Sequence, residues 1–215
     1  MSADPQHGPR LALKRCLDLS IAVTLLGLSS PLLAAAALAV RLDSPGPVLY
    51  RSQRVGRRGC EFEMLKFRSM RADADETPHR KLIHDLLAGG DSTVADGAMF
   101  KLDRDDRLTR TGRILRSTSI DELPQLINVI RGHMSIVGPR PEVPYAVAQY
   151  DSWQHRRFDV LPGMTGLWQV SGRAELHPRE MLRLDVEYVE RWSLRLDLSI
   201  MLRSIPAVLH RTGSA

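Results

Sequence analysis

The stretch from Leu19 to Val40 constrains this chain most: about 22 consecutive residues without a formal charge, enough for a straight helix to cross a hydrocarbon core of roughly 30 Å. Ser29, Ser30 and Pro31 interrupt it in the middle. A proline there removes a backbone hydrogen bond and kinks a helix, and serine hydroxyls can satisfy the freed carbonyls. Both flanks are basic, with Arg10, Lys14 and Arg15 before and Arg41, Arg51, Arg54, Arg57 and Arg58 after. Positive residues tend to stay on the cytoplasmic face. If both flanks obey that rule, residues 11–44 form a re-entrant membrane hairpin broken at Ser30 and Pro31, entering and leaving on one side. A straight span is the competing arrangement. A signal peptide fits less well, because the apolar region is too long and no clear cleavage motif follows.

Composition narrows the partners. A net charge of +5 and a pI near 9.6 point to anionic ones: nucleic acid, phosphorylated metabolites or an anionic membrane surface. Aromatics make up 5% and are not interleaved with the basic residues, which argues against a nucleic-acid stacking platform. Nucleic-acid binding would also leave the apolar segment unexplained. The two cysteines, Cys16 and Cys60, match neither a zinc nor a redox spacing. Both are expected to be reduced packing residues in a cytoplasmic setting.

Residues 1–10 are polar with Pro5, Gly8 and Pro9, and read as a disordered lead; 45–215 read as one cytoplasmic domain. After a turn at Pro45-Gly46-Pro47, the runs 48–53 and 60–67 predict a β-hairpin, with Cys60, Phe62 and Met64 alternating with Glu61 and Glu63. It closes on Lys66-Phe67-Arg68-Ser69-Met70, two cations about an aromatic. Residues 72–98 are polar and read as a mobile insertion. Then comes a cation at every third position, Lys101, Arg104, Arg107, Arg110, Arg113 and Arg116. This ladder reads either as a solvated helix face or as a positive rim for phosphates or lipid headgroups. Residues 179–191 and 194–209 predict two amphipathic helices, the second suited to the core or to a membrane interface.

Between them lies Ser119 to Pro141, which opens on adjacent carboxylates, Asp121 and Glu122. A short helix follows, with Leu123, Leu126, Ile127 and Ile130 on one face and Gly132 as its stop. Gly138-Pro139-Arg140-Pro141 then forms a stiff turn carrying one guanidinium. Ser119 with Glu122 matches a capping box, although Pro124 fits a helix begun at Asp121 better. The carboxylates therefore read either as a helix start or as chemistry. In the chemical reading one attacks phosphorus, the other holds a hard cation such as Mg²⁺, and Arg116, Arg140 and Arg173 neutralise the transferred group.

The Ser30-Pro31 interruption, KFRSM at 66–70, the stretch from Arg110 to Pro141, PGMTGLWQVSGR at 162–173 and the C-terminal DVEYVERWSLRLDLSI together resemble the bacterial sugar transferase family. Within it the chain is similar to the small monotopic phosphoglycosyl transferases. The resemblance implies an α+β, helix-dominated fold with a re-entrant membrane helix, a β-hairpin and amphipathic interfacial helices. It implies an enzyme at the cytoplasmic face of the bacterial inner membrane, moving a sugar-1-phosphate from a UDP-sugar to an undecaprenyl-type polyprenol phosphate with release of UMP. That is a first membrane step of polysaccharide or glycoconjugate synthesis. Asp121 matches the family's nucleophile, and Glu122 its dyad partner, associated with Mg²⁺. Lys66, Arg116, Arg140 and Arg173 match positions linked to phosphate or nucleotide recognition, and Arg68 of the same KFRSM motif joins them as a substrate-binding candidate. Expected partners are the UDP-sugar, polyprenol phosphate and inner-membrane lipid; nucleic acid is not among them. A homo-oligomer and pathway glycosyltransferases are further candidates. Ile120 and His133 depart from the family's usual leucine and acidic residue. A catalytically silent membrane-surface scaffold is the rival reading.

Overall fold

Leucine and alanine dominate residues 19–40, and both favour helix. The computed structural model describes residues 8–71, 77, 107–172 and 176–209. It forms one helix there, α1 (Pro9–Asp43), starting two residues before and ending one residue before the expected 11–44. Pro31 lies inside α1, which is one continuous helical element through Ser30 and Pro31, the position at which a break was expected. The local chemistry shows why. Pro31 has no N–H for the Gly27 carbonyl, and Ser30 Oγ donates to that oxygen at 2.8 Å. Ser29 Oγ donates to the Leu25 carbonyl at 2.6 Å. The Ser30 hydroxyl satisfies the carbonyl that the proline orphans, and the Ser29 hydroxyl bonds back one turn beside it.

Both ends of α1 are fastened to the same folded body. Near the N-terminus, Lys14 Nζ donates to Asp197 Oδ2 (2.8 Å) and to the Val137 carbonyl (3.1 Å). Asp18 accepts from Ser135 Oγ (2.8 Å) and Ile136 N (3.1 Å). Tyr188 and Trp192 also donate to Asp197. At the other end Asp43 accepts from Thr111 N at 2.8 Å, while Ala36 and Val40 pack with Phe67 and Leu115.

The predicted hairpin is present. β1 (Leu49–Val55) pairs antiparallel with β2 (Glu61–Phe67), setting Tyr50 opposite Lys66 and Arg54 opposite Phe62. Cys60 lies before β2, and Cys16 and Cys60 are both exposed and reduced, so neither is the packing residue expected of it. Further along come α2 (Arg110–Ser117), a 3-10 turn at Ile120–Glu122, and α3 (Gln125–Arg131). As predicted, Gly132 ends α3, in the left-handed region at φ 86. β3 (Ser135–Val137) pairs in parallel with β4 (Gly163–Thr165), the other two-stranded sheet. Between them stand α4 (Pro144–Val147) and a 3-10 turn at Gln154–Asp159. α5 (Pro178–Arg191) and α6 (Leu194–Leu209) complete a helix-rich α+β fold.

The main core joins Ala22 of α1 to Met64, Leu126, Val129, Val137, Val160, Val189 and Ile200. Buried Asn128 of α3 ties the hairpin to it: its Oδ1 accepts from Leu65 N (2.9 Å) and its Nδ2 donates to the Glu63 carbonyl (2.7 Å). One amide side chain thus serves β2 as an extra strand edge would. Glycines in the 162–173 loop have a packing reason too. A Cβ on Gly163 would stand 2.1 Å from Gly138 N, and one on Gly138 2.4 Å from the Leu161 carbonyl. The two backbones cross there in near contact, just before Arg140.

The basic ladder is not one rim. Arg110 and Arg113 lie exposed on α2, Arg116 is half-buried, and Arg107 precedes the helix. Lys101, Arg104 and Arg173 lie outside the described residues, as do residues 1–7 of the lead and, Thr77 apart, the insertion called at 72–98.

Candidate active site

Three elements converge on the dyad. Asp121 and Glu122 sit in the 3-10 turn between α2 and α3, after Ser119, a non-glycine residue in the left-handed region at φ 57. Ser119 makes no side-chain cap, and α3 begins only at Gln125. Neither the capping box nor a cap at Asp121 forms, so the carboxylates are not spent on a helix start. Left-handed backbone costs an ordinary residue on the order of 1 kcal/mol and tends to persist where function fixes it.

The two carboxylates differ in surroundings. Glu122 is paired: Arg140 Nη2 meets its Oε1 at 2.5 Å and Nη1 its Oε2 at 3.4 Å. Burial pushes its carboxyl upward, but Arg140, helped by Lys66 and Arg54, holds it below the ordinary glutamate range. Asp121 is 6% exposed, and among the described residues it accepts no hydrogen bond. Burial, with the neighbouring Glu122 charge, raises it to about 6, against the pull of Lys66, Arg116 and Arg140. One carboxylate is committed and the other is left available.

The cations come from separate elements. Lys66 on β2 lies 5.6 Å from the centre of the Tyr50 ring, and burial, with Arg54 and Arg116 beside it, lowers it to about 8. Arg116 of α2 acts on both Asp121 and Lys66. Arg140 projects from the Pro-Arg-Pro turn onto Glu122. Of the sequence candidates, Lys66, Arg116, Arg140, Asp121 and Glu122 are thus brought together.

Arg68 is placed elsewhere. Its buried guanidinium donates to the Ser44 carbonyl (2.6 Å), Ser44 Oγ (2.8 Å) and the Pro45 carbonyl (2.8 Å). It staples the turn after α1, because residue 68 already lies beyond the end of β2. Arg54 takes a place at the site that sequence reading did not assign. It shares a sheet face with Lys66 by strand alternation, donates to the Pro141 carbonyl at 3.3 Å and bears on Glu122. Period two along β1 was the signal available for it. His133, the departure noted in the sequence, is exposed and packs its ring 5.8 Å from that of Phe62.

A buried, available carboxylate among cations suits attack on an anionic phosphorus centre. The model of the family described as bacterial sugar transferase matches residues 9–211. The chain belongs to the bacterial sugar transferase family. Among similar members, a Caulobacter vibrioides protein named UDP-glucose:undecaprenyl-phosphate glucose-1-phosphate transferase is 43% identical over 215 residues, covering 94% of this chain and 72% of that one. The exopolysaccharide production protein ExoY of Rhizobium meliloti is 41% identical, covering 94% and 87%. The galactosyl transferase CpsE of Streptococcus agalactiae is 43% identical over 176 residues, covering 81% of this chain. This sugar transferase spans only 37% of CpsE's length, and 43% of an Erwinia amylovora UDP-galactose-lipid carrier transferase.

Proposed function

We propose that this chain transfers a sugar-1-phosphate from a UDP-sugar to undecaprenyl phosphate and releases UMP. The observation that carries the reading is Asp121: buried, without a hydrogen bond among the described residues, and ringed by Lys66, Arg116 and Arg140. Its carboxylate oxygen attacks the β-phosphorus of the UDP-sugar. The bond from that phosphorus to the bridging oxygen breaks, UMP leaves with the electron pair, and an aspartyl-phosphosugar remains. A phosphate oxygen of the polyprenol then attacks the same phosphorus and expels Asp121. Lys66, Arg54, Arg116 and Arg140 counter the charge that develops. A carboxylate raised to about 6 is ionised at neutral pH and more basic than an ordinary aspartate.

Mg²⁺ suits this site as an ion borne on the diphosphate. Among the described residues no group of three His, Cys, Asp or Glu side chains gathers into a cage. Mg²⁺ commonly uses only one or two carboxylates beside substrate phosphates. Each Glu122 oxygen keeps a lone pair beyond its bond to Arg140, through which Glu122 would hold the ion, and the ion would supply charge neutralisation on the diphosphate.

The test is UMP release from UDP-glucose and UDP-galactose with Mg²⁺ and undecaprenyl phosphate. Without the acceptor, a phosphosugar mass increment is expected on the peptide containing Asp121. An increment elsewhere, or turnover with no covalent adduct, would replace this mechanism.

The same proposal places α1 as re-entrant, with the domain on the cytoplasmic face. Support comes from the anchoring of both its ends to one domain and from exposed Leu25, Leu28 and Leu32 between them. In a Cys16→Ser background, Arg10→Cys and native Cys60 are expected to react with an impermeant maleimide in inverted vesicles and not in spheroplasts. Protection of one cysteine on each side would establish a spanning helix.

A further inference from the structure

We infer that Arg157 is a positioning residue for the reaction proposed above, fixing Arg140 and through it Glu122. Every carbonyl of the Pro139-Arg140-Pro141 turn is held from another element. Gly163 N donates to Pro139 O (2.8 Å), Arg54 Nη1 to Pro141 O (3.3 Å), and Arg157 Nη2 to Arg140 O (2.7 Å). The turn needs such outside donors, since Pro139 and Pro141 offer no N–H of their own. The grip on Arg140 comes from a deeply set side chain. Arg157 is 3% exposed, and its guanidinium is itself aimed by Asp185 Oδ2 (2.6 Å) and by the Tyr150 hydroxyl, which accepts from Nη1 at 2.7 Å.

Stability alone is a poor reason for this arrangement. Apolar residues of similar volume usually fill buried space at least as favourably as an ion pair does. What the pair adds is location: Nη2, the nitrogen that meets Asp185, also closes on the backbone of the residue whose side chain holds Glu122. Misplacing a catalytic group by about 1 Å can cost on the order of a hundredfold in rate.

This inference rests on the proposed transferase reading, and the experiment separates the two. Turnover (kcat) and KM for UMP release from UDP-glucose and UDP-galactose are measured for the unmodified chain, Arg157→Lys, Arg140→Lys and the double variant, with thermal unfolding of each. Lysine keeps the charge at 157 but cannot fork between Asp185, Tyr150 and the Arg140 carbonyl. Arg157→Lys is expected to lower kcat/KM by about tenfold or more, with the loss carried by kcat, because a displaced Arg140 no longer meets the charge that develops in the reaction. In the double variant the loss is expected to match that of Arg140→Lys alone, since the two act as one unit. Tyr150→Phe, which deletes one partner of Arg157, is the milder check should Arg157→Lys unfold, and a smaller loss, again carried by kcat, is expected of it. A loss carried by KM alone, or losses that multiply in the double variant, overturns the inference while the unmodified chain remains active. No UMP from any chain, the unmodified one included, overturns the transferase reading and this inference with it.

Discussion

Asp121→Asn is expected to abolish UMP release and, at the same time, to make the folded protein more stable. The first effect follows from removing the attacking oxygen. The second follows from linkage. Asp121 is raised from 3.8 to about 6, so the folded state prefers the neutral acid, and ionising it at higher pH costs stability. Each unit of displacement is worth about 1.4 kcal/mol, so an uncharged isostere recovers on the order of 1–3 kcal/mol at neutral pH. The sign makes the test specific. The gain in Tm is expected to be full above the folded value near 6, to shrink as pH falls through it, and to vanish below the ordinary aspartate range. Thermal unfolding of the two proteins across that window checks it. A loss of stability at neutral pH would show that the Asp121 charge is favourably paired in the fold. Membrane retention is expected to be unchanged, because no anchor of α1 passes through Asp121.

The second large effect lies at the foot of α1. Asp197→Ala is expected to cost about 3–5 kcal/mol, because it leaves the Lys14 ammonium buried with only the Val137 carbonyl as partner. Tyr188 and Trp192, which also donate to Asp197, lose their acceptor. Thermal unfolding in detergent reads the loss, and limited proteolysis after Arg10 or Arg15 reads the release of α1. Lys14→Met with Asp197→Leu removes both charges and is expected to recover most of the stability. An undamaged Asp197→Ala protein would mean that α1 is held by its apolar contacts alone.

Much of the scaffold was legible because its signals are local. Alternation at Cys60, Phe62 and Met64 gave the hairpin, Gly132 gave the end of α3, and the uncharged run with its basic flanks gave α1 to within two residues at each end. The dyad and Arg140 were legible from their motif, although the helix-start reading competed until the backbone placed both carboxylates in a 3-10 turn. What stayed hidden depends on residues distant in sequence. Arg157 looks like half of an ordinary surface Arg-Arg pair until Asp185 and Tyr150 close on it. Arg68 looks like a phosphate ligand until the end of β2 turns it under α1. Cys16 and Cys60 misled because free cysteine is usually buried, and neither is. The passage of α1 through Pro31 is accommodated by a Ser30 hydroxyl contact that hydropathy does not register.

The fastening of α1 has a consequence for how the protein is made. The anchor residues Lys14 and Asp18 leave the ribosome well before their partners, which lie 117 to 183 residues further on, from Ser135 to Asp197. During most of synthesis the apolar segment has reached the bilayer while Lys14 still lacks its counter-ion. It must then keep its ammonium among headgroups and water, as long basic side chains do at a membrane surface. Docking of α1 is thus a late event, which waits for Asp197 to emerge. Until Asp197 emerges, the nascent chain is a membrane-tethered segment with an unfinished domain, and the seating of its anchor is the step that completes the fold.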